Sequence, residues 1–346
     1  MLLKFHSLHK FVMGDFFMKN DLTVAGVYIA ALIGAGFSSG SEIVHYFAVY
    51  GKWGILGIVI SSVLFGVFAA GVLAVSKRCN VKSYGEFLEA TFPGRVSGVV
   101  NSITLIFMFV VFVAMASGSG ETFTKLFGIN KIFGVMLILT ITFFVLLFDV
   151  RGLIAANGVM AALIIAGTLG VVFFILLRRE IPVFSRMGES VISGGIYTGY
   201  NILTGVAVLP ALSAYIKRPV RVGVFSTAAI FILLTVLWGV ISIYYGKIPL
   251  GALPMLTICQ RHGSVISGFY TVILFMAMLT TEIANAFSVT DAVGENRMLA
   301  LTGLVVSGFF LAGFPFDFFV GRLYRVAGLI GVIFGLFILL KIFQKK

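Results

Sequence analysis

Ile33-Gly34-Ala35-Gly36-Phe37-Ser38-Ser39-Gly40-Ser41-Glu42 stands in the middle of an apolar stretch that runs from about residue 21 to residue 48. Three glycines and three serines are poorly suited to a helix interior: glycine loses the most backbone freedom there, and serine competes for the backbone hydrogen bonds. The run therefore predicts a helix that breaks halfway. Its surroundings say in what medium. The chain has 346 residues, of which 60% are hydrophobic and 11% charged, and its mean hydropathy is +1.12. A soluble domain carries about 25% charged residues, so most of this exterior must face lipid.

A spanning helix takes about 20 apolar residues. Ten stretches qualify, at 21–48, 52–76, 97–120, 131–148, 152–177, 190–215, 220–245, 264–290, 298–315 and 318–341. They predict an all-α integral membrane protein with a cytoplasmic leader (1–20), two five-helix halves (21–177 and 190–341), an external linker (178–189) and a cytoplasmic tail (342–346). Five is odd, so the second half is inverted relative to the first. Inverted repeats with a site near the midplane, marked by a glycine-interrupted span in each half, are a recurring transporter plan. The second interruption is placed in Gly194-Gly195-Ile196-Tyr197-Thr198-Gly199-Tyr200-Asn201-Ile202-Leu203-Thr204-Gly205. Unwound backbone at membrane depth is tolerated only inside protein or beside a watery cavity, so two breaks predict a shared one. Glycines unaccompanied by polar residues, such as Gly167, Gly170, Gly328, Gly331 and Gly335, read as helix packing.

Lys and Arg total 25 against 13 Asp and Glu, a balance that in a soluble protein would raise nucleic-acid binding. Here it reads as topology. Segments carrying Lys77, Arg78, Lys82, Arg95, Arg151, Lys217, Arg218 and Arg221 hold more positive charge than the alternate ones, which places both termini inside. Ser83 to Pro93, with apolar positions and carboxylates at helical spacing, reads as an amphipathic helix on the inner surface. Cys79 and Cys259 fall on opposite sides and make no disulfide framework. The apolar run after the leader is too long for a signal peptide and lacks a cleavage site, so it reads as a retained first span.

Glu42 is the most informative side chain, because a charge deep in a bilayer costs roughly 2.5 to 3.5 kcal/mol even on the lenient scale. Ser39-Gly40-Ser41-Glu42 fits a capping box; the same carboxylate suits a coupling proton, a cation or a substrate amine. His45, one turn on, either pairs with Glu42 or simply faces water. Thr280 and Thr281 offer hydroxyl oxygens to a hard cation, or bond back to their own helix. Arg322 and Arg325 reach along their helix to water, or pair with Asp317. Tyr197, Tyr200, Asn201 and Thr204 serve a pocket wall or ordinary packing. Enzyme signatures such as HExxH and the nucleophile elbow are missing, and GAGFSSG is one residue too long for GxGxxG.

With the broken span, the inverted halves and the threonine pair, the chain resembles the LeuT-fold transporters of the amino acid, polyamine and organocation superfamily. The run at 33–42 is most similar to that of the bacterial YkvI-type membrane proteins, which usually reads GAGFASGQE; here Ser38 replaces Ala and Ser41 replaces Gln. The resemblance covers about 21–341. It implies a sodium site between the carbonyls of Ala30 and Ile33 and the run Ala277, Thr280 and Thr281. It also implies a substrate held at Gly34, Gly36, Ser38, Ser39, Gly40 and Glu42 against Tyr197, Tyr200, Asn201 and Thr204.

The function expected is secondary transport by alternating access, in a bacterial inner membrane, of an amino acid or related zwitterion or amine with sodium or protons. Free amides near Gly40 and Gly205 would hold a substrate carboxylate. The alternative is a ligand-sensing subunit of a germinant-receptor-like complex. The expected partners are a small-molecule substrate and the lipid bilayer. The sequence carries no motif for an enzyme, a cofactor, a nucleic-acid partner or a particular oligomeric state.

Overall fold

The computed structural model describes residues 21–148 apart from 82 and 93, residues 163–175, and residues 187–343 apart from 294 and 295. The leader, the start of the fifth predicted span, nearly all of the 178–189 linker and the end of the tail lie outside the described residues. The elements in chain order are α1 (Asp21–Leu32), α2 (Ala35–Ser39), α3 (Ser41–Tyr46), α4 (Gly54–Arg78), α5 (Tyr84–Thr91), α6 (Arg95–Phe127), α7 (Lys131–Phe148) and α8 (Leu163–Ile175). They continue as α9 (Met187–Gly205), α10 (Leu209–Leu212), α11 (Pro219–Tyr244), α12 (Pro254–Arg261), α13 (Ser264–Val293), α14 (Arg297–Leu311), α15 (Phe316–Phe318) and, after a π-helical turn at Phe319–Leu323, α16 (Tyr324–Phe343). No strand occurs among the described residues.

By length and apolarity α4, α6, α11, α13 and the segment Phe316–Lys341 can each cross a membrane, and the bent pair α9 and α10 makes a sixth. The shorter apolar helices α1, α7, α8 and α14 stand at the first, fourth, fifth and ninth predicted spans. By length alone the described helices give up to six crossings, and the shorter apolar helices account for the other predicted positions. The first span is short because it is broken, and the fifth is described only in part. The protein is a multi-pass, all-α membrane protein.

The first break falls inside the quoted run, as two interruptions. Ile33 and Gly34 leave the helix, and Gly40 turns the chain with φ 79 between α2 and α3. Only glycine takes that conformation readily, and a side chain there would also strike Ile241 and Met255.

The second break differs from the expectation. Residues 194–205 form continuous helix in α9, and the chain bends by 66° only after Gly205. The glycines expected to unwind this helix let other backbones approach it. A Cβ at Gly194 would lie 2.4 Å from the Gly57 carbonyl oxygen of α4, and one at Gly199 would lie 2.1 Å from that of Gly328 in α16. Ser190 and Ser61 join the same contact: Gly57 N–H donates to Ser190 Oγ at 3.1 Å, and Ser61 Oγ donates to the Gly194 carbonyl at 2.9 Å. Close glycine contacts of this kind are how helices associate where lipid gives no hydrophobic drive. The same contact uses Gly328 and Gly331, read from the sequence as packing residues.

The predicted surface helix is α5. Ser83 accepts from Glu86 N–H at 3.2 Å as its N-cap, Phe87 and Leu88 are buried, and Glu86 and Glu89 are exposed. Asp21 at the start of α1 accepts from the amides of Lys217 (2.7 Å) and Arg218 (3.3 Å), which ties the entry of α1 to that of α11. Both cysteines are free.

Because a Cβ at Gly331 would lie 1.9 Å from the Gly199 carbonyl oxygen, Gly331→Ala is expected to force α9 and α16 apart at a cost of about 1–3 kcal/mol. Gly303→Ala, where nothing lies within 4 Å, is the control. Thermal unfolding in detergent should show a lower midpoint for the first variant only; equal midpoints would contradict the contact.

Candidate functional site

The two breaks meet. A Cβ on Gly205, the last residue of α9, would lie 2.6 Å from Leu32 Cδ2, on the last residue of α1. Most of the backbone freed by the interruptions is bonded again nearby. Gly34 N–H donates to Leu32 O, Ser38 N–H to Gly34 O and Gly40 N–H to Phe37 O. Ser39 Oγ donates to Gly36 O at 2.9 Å, and Tyr270 of α13 donates to Ser38 O at 2.5 Å. At the second break the amides of Val206, Ala207 and Val208 bond to Ile202, Thr204 and Gly205. The amides of the turn itself are thus taken up, ahead of the start of α10 at Leu209.

Two carbonyls stand apart. Among the described residues, no backbone amide pairs with the carbonyls of Ala30 or Ile33. Thr281 reaches this point from α13, its Oγ1 lying 3.2 Å from where a Cβ on Gly34 would be. Thr280 donates back to the Ala277 carbonyl at 3.1 Å, which leaves its oxygen lone pairs free to accept. Gly34, next to Ile33, and Thr281 are therefore neighbours.

Glu42 is not the end of a capping box. Gly40, not Ser39, precedes α3 and no side chain caps it; Ser39 Oγ instead accepts from Ser41 N–H at 3.2 Å. The left-handed turn at Gly40 puts Ser39 at the end of α2, out of register with α3. Glu42 is 6% exposed and folds back over Gly36, where a Cβ would lie 2.0 Å from its Oε1. Tyr197 and Tyr200 of α9 bring their hydroxyls to its carboxyl. Asn201 and Thr204 point elsewhere, Asn201 Nδ2 donating to Tyr197 O and Thr204 Oγ1 to Asn201 O. Among the described residues the buried hydroxyls of Ser38 and Ser41 have no partner.

His45 neither pairs with Glu42 nor merely faces water. Its Nε2 lies 2.7 Å from Asp317 Oδ1, joining α3 to α15, and its ring packs on Gly321 in the π-helical turn. This takes Asp317 from Arg322, which lies over Phe318. The pair lines a cavity of about 380 Å³ with Val44, Tyr245 and Leu250, on the face of the loop between α11 and α12. Beside the breaks, between Leu32, Phe37, Phe65 and Tyr197, a cavity holds only about 10 Å³, the limit for one water.

No protein-family model matches the chain. It is 25% identical over 280 residues to the Bacillus subtilis membrane protein YkvI, covering 78% of this chain and 80% of that one. It is 22% identical over 318 residues to YyaD of the same organism, covering 88% and 91%. Among solved structures it superposes on a Na+-coupled sialic acid symporter in a substrate-bound outward-open state, with 13% identity, 99% and 86% coverage and a TM-score of 0.64. On MhsT in complex with L-phenylalanine the figures are 12%, 91% and 88%, and 0.66. On inward-facing Mhp1 they are 10%, 93% and 76%, and 0.59. The chain has the LeuT fold. The solved LeuT-fold proteins it matches are transporters, not enzymes.

Several residues of this LeuT-fold centre escaped the sequence reading. Tyr46 lies one turn after Glu42, a spacing that had flagged only His45. Tyr324 and Tyr270 come from distant helices with no local signal. Glu282, beside the threonine pair, is 0% exposed, accepts from Thr142 of α7 at 3.1 Å and, among the described residues, has no partner at Oε2.

Tyr270→Phe removes the donor to Ser38 and leaves a buried carbonyl unpaired, at an expected cost of about 1–3 kcal/mol. A lowered thermal midpoint checks it; an unchanged midpoint would mean that another group holds this carbonyl.

Proposed function

We propose that the chain is a secondary transporter that carries a small polar organic solute with an amino group, in symport with sodium, by alternating access. One observation carries the reading: at the break of the first helix Thr281 lies against Gly34, and among the described residues no backbone amide pairs with the neighbouring carbonyls of Ala30 and Ile33. Unpaired backbone oxygen inside a bilayer is costly, and an all-oxygen shell suits a hard cation. Among the described residues no three His, Cys, Asp or Glu side chains converge, which speaks against a transition-metal cargo. A Na+-coupled sialic acid symporter and MhsT in complex with L-phenylalanine, on the same fold, support an organic solute coupled to sodium.

The centre has far less room than the roughly 300 Å³ of a small-ligand pocket, so the solute enters only when helices move apart. The two halves, 21–177 and 190–341, are taken as the inverted repeats that rock against each other, with both termini in the cytoplasm of a bacterial cell. Replacing Thr280 and Thr281 with Ala is expected to weaken sodium dependence at least about tenfold, as read by solute uptake into proteoliposomes over a sodium titration. An unchanged sodium titration would move coupling elsewhere, to a proton on Glu42.

A further inference from the structure

We propose that the end of α4 and the start of α11 hold the phosphate of an anionic phospholipid, with one of its acyl chains laid along α4. The inference goes beyond the transporter reading and does not depend on what the protein carries. It starts from a knot of positive charge. Lys77 and Arg78 close α4, Lys217, Arg218 and Arg221 lead into α11, and all five are exposed. Contacts draw them together. Lys77 Nζ donates to the carbonyls of Ile216 (3.1 Å) and Lys217 (3.4 Å), and Arg78 Nη2 donates to that of Lys341 at the end of α16 (2.9 Å). Asp21, the acid beside them, is buried and accepts from the main-chain amides of Lys217 and Arg218, not from their side chains. Among the described residues Lys77, Lys217, Arg218 and Arg221 form no ion pair.

A carbonyl satisfies an N–H but brings no net negative charge, so even with Asp21 offsetting one of them the positive charges stay in excess. What adjoins them decides which anion fits. α11 meets α4 at Gly66 and Ala70, and α16 meets it at Phe68. At 3.6 residues per turn, Val63, Val67 and Ala74 fall between those two contacts on the surface of α4; Val63 and Val67 are 47% and 40% exposed. Val220 and Val224 of α11, also exposed, edge the same apolar strip. From Val63 to Lys77 the helix runs about 21 Å, more than half of the roughly 30 Å hydrocarbon core. The strip is therefore long enough for the tail of a lipid in one leaflet, and it ends at the charges. Lys and Arg hold phosphate by charge-assisted hydrogen bonds, and basic pockets between spans at one membrane surface suit anionic headgroups. A soluble anion would leave the strip unused, and a zwitterionic lipid would bring a further cation into the cluster.

The test uses the full chain in detergent, delipidated and then titrated with phosphatidylglycerol or phosphatidylcholine, with bound lipid counted by native mass spectrometry. Phosphatidylglycerol is expected to saturate at one tightly held molecule and to bind at least about tenfold tighter than phosphatidylcholine. Replacing Lys217, Arg218 and Arg221 together with Gln should weaken it at least about tenfold. Arg95→Gln, which removes a charge at the start of α6 on the same membrane face, should leave it unchanged. Val67→Trp fills the strip without altering charge; it should weaken phosphatidylglycerol severalfold, and it serves if the triple variant is not monodisperse. Glycerol 3-phosphate, which has the anion and no tail, should not displace the lipid at equal concentration. Equal affinity for the two lipids, phosphatidylglycerol held undiminished by the triple variant or by Val67→Trp, an equal loss in Arg95→Gln, or displacement by glycerol 3-phosphate would overturn the assignment.

Discussion

A peptide group that leaves its helix inside a bilayer must find a partner within the protein, and the centre of this molecule is organised by that demand. The serine hydroxyl of Ser39, the phenol of Tyr270 and tight turns at 34, 40 and 206–208 take up several of the amides and carbonyls that the breaks release. Among the described residues, the groups left without a partner include the carbonyls of Ala30 and Ile33 and the hydroxyls of Ser38, Ser41, Tyr46 and Tyr200. The segment 33–42 thus lies between Thr281 of α13 on one side and the tyrosines of α9 on the other.

Close helix contact makes the arrangement rigid enough to matter. Gly194 and Gly199 bring α9 within backbone distance of α4 and α16, and that approach places Tyr197 and Tyr200 over α3. On the opposite side, Gly34 admits Thr281. Gly36 admits the Glu42 carboxyl in the same way. The His45 and Asp317 contact joins the same α3 to the π-helical turn, so a motion of α3 that opens the centre must also part this pair beside the larger cavity.

The broken first helix was legible because its polar residues are contiguous: a glycine–serine run with one carboxylate inside an apolar span has few other readings. The second break was misplaced by its glycines. Gly194, Gly195 and Gly199 look like a helix breaker in one dimension, yet what two of them serve is contact with Gly57 and Gly328, residues more than a hundred positions away. The bend itself, at Val206–Val208, is written in apolar residues followed by Pro210, which leave little trace in a hydrophobic chain. The tyrosine cluster was half legible for a similar reason. Tyr197 and Tyr200 adjoin a visible motif, but Tyr324 joins them only through the packing of α16 on α9. The threonine pair was placed by resemblance, and Gly34 supplies the physical ground for it.

The central claim is that the break of the first helix docks on the threonine pair of α13, and a disulfide tests it without knowledge of any substrate. Side chains at 34 and 281 meet, since Thr281 Oγ1 and Cγ2 lie 3.2 and 3.6 Å from where a Cβ at 34 would be, and a disulfide needs Cβ atoms about 3.5–4.5 Å apart. With Cys79 and Cys259 replaced by Ser, the pair Gly34→Cys and Thr281→Cys should form an intramolecular bond under mild oxidation in membranes. Cleavage within the chain between the two positions would then leave the fragments joined until reduction. A Gly26→Cys and Thr281→Cys pair should stay open. Fragments that separate without reductant in the first pair would contradict the account.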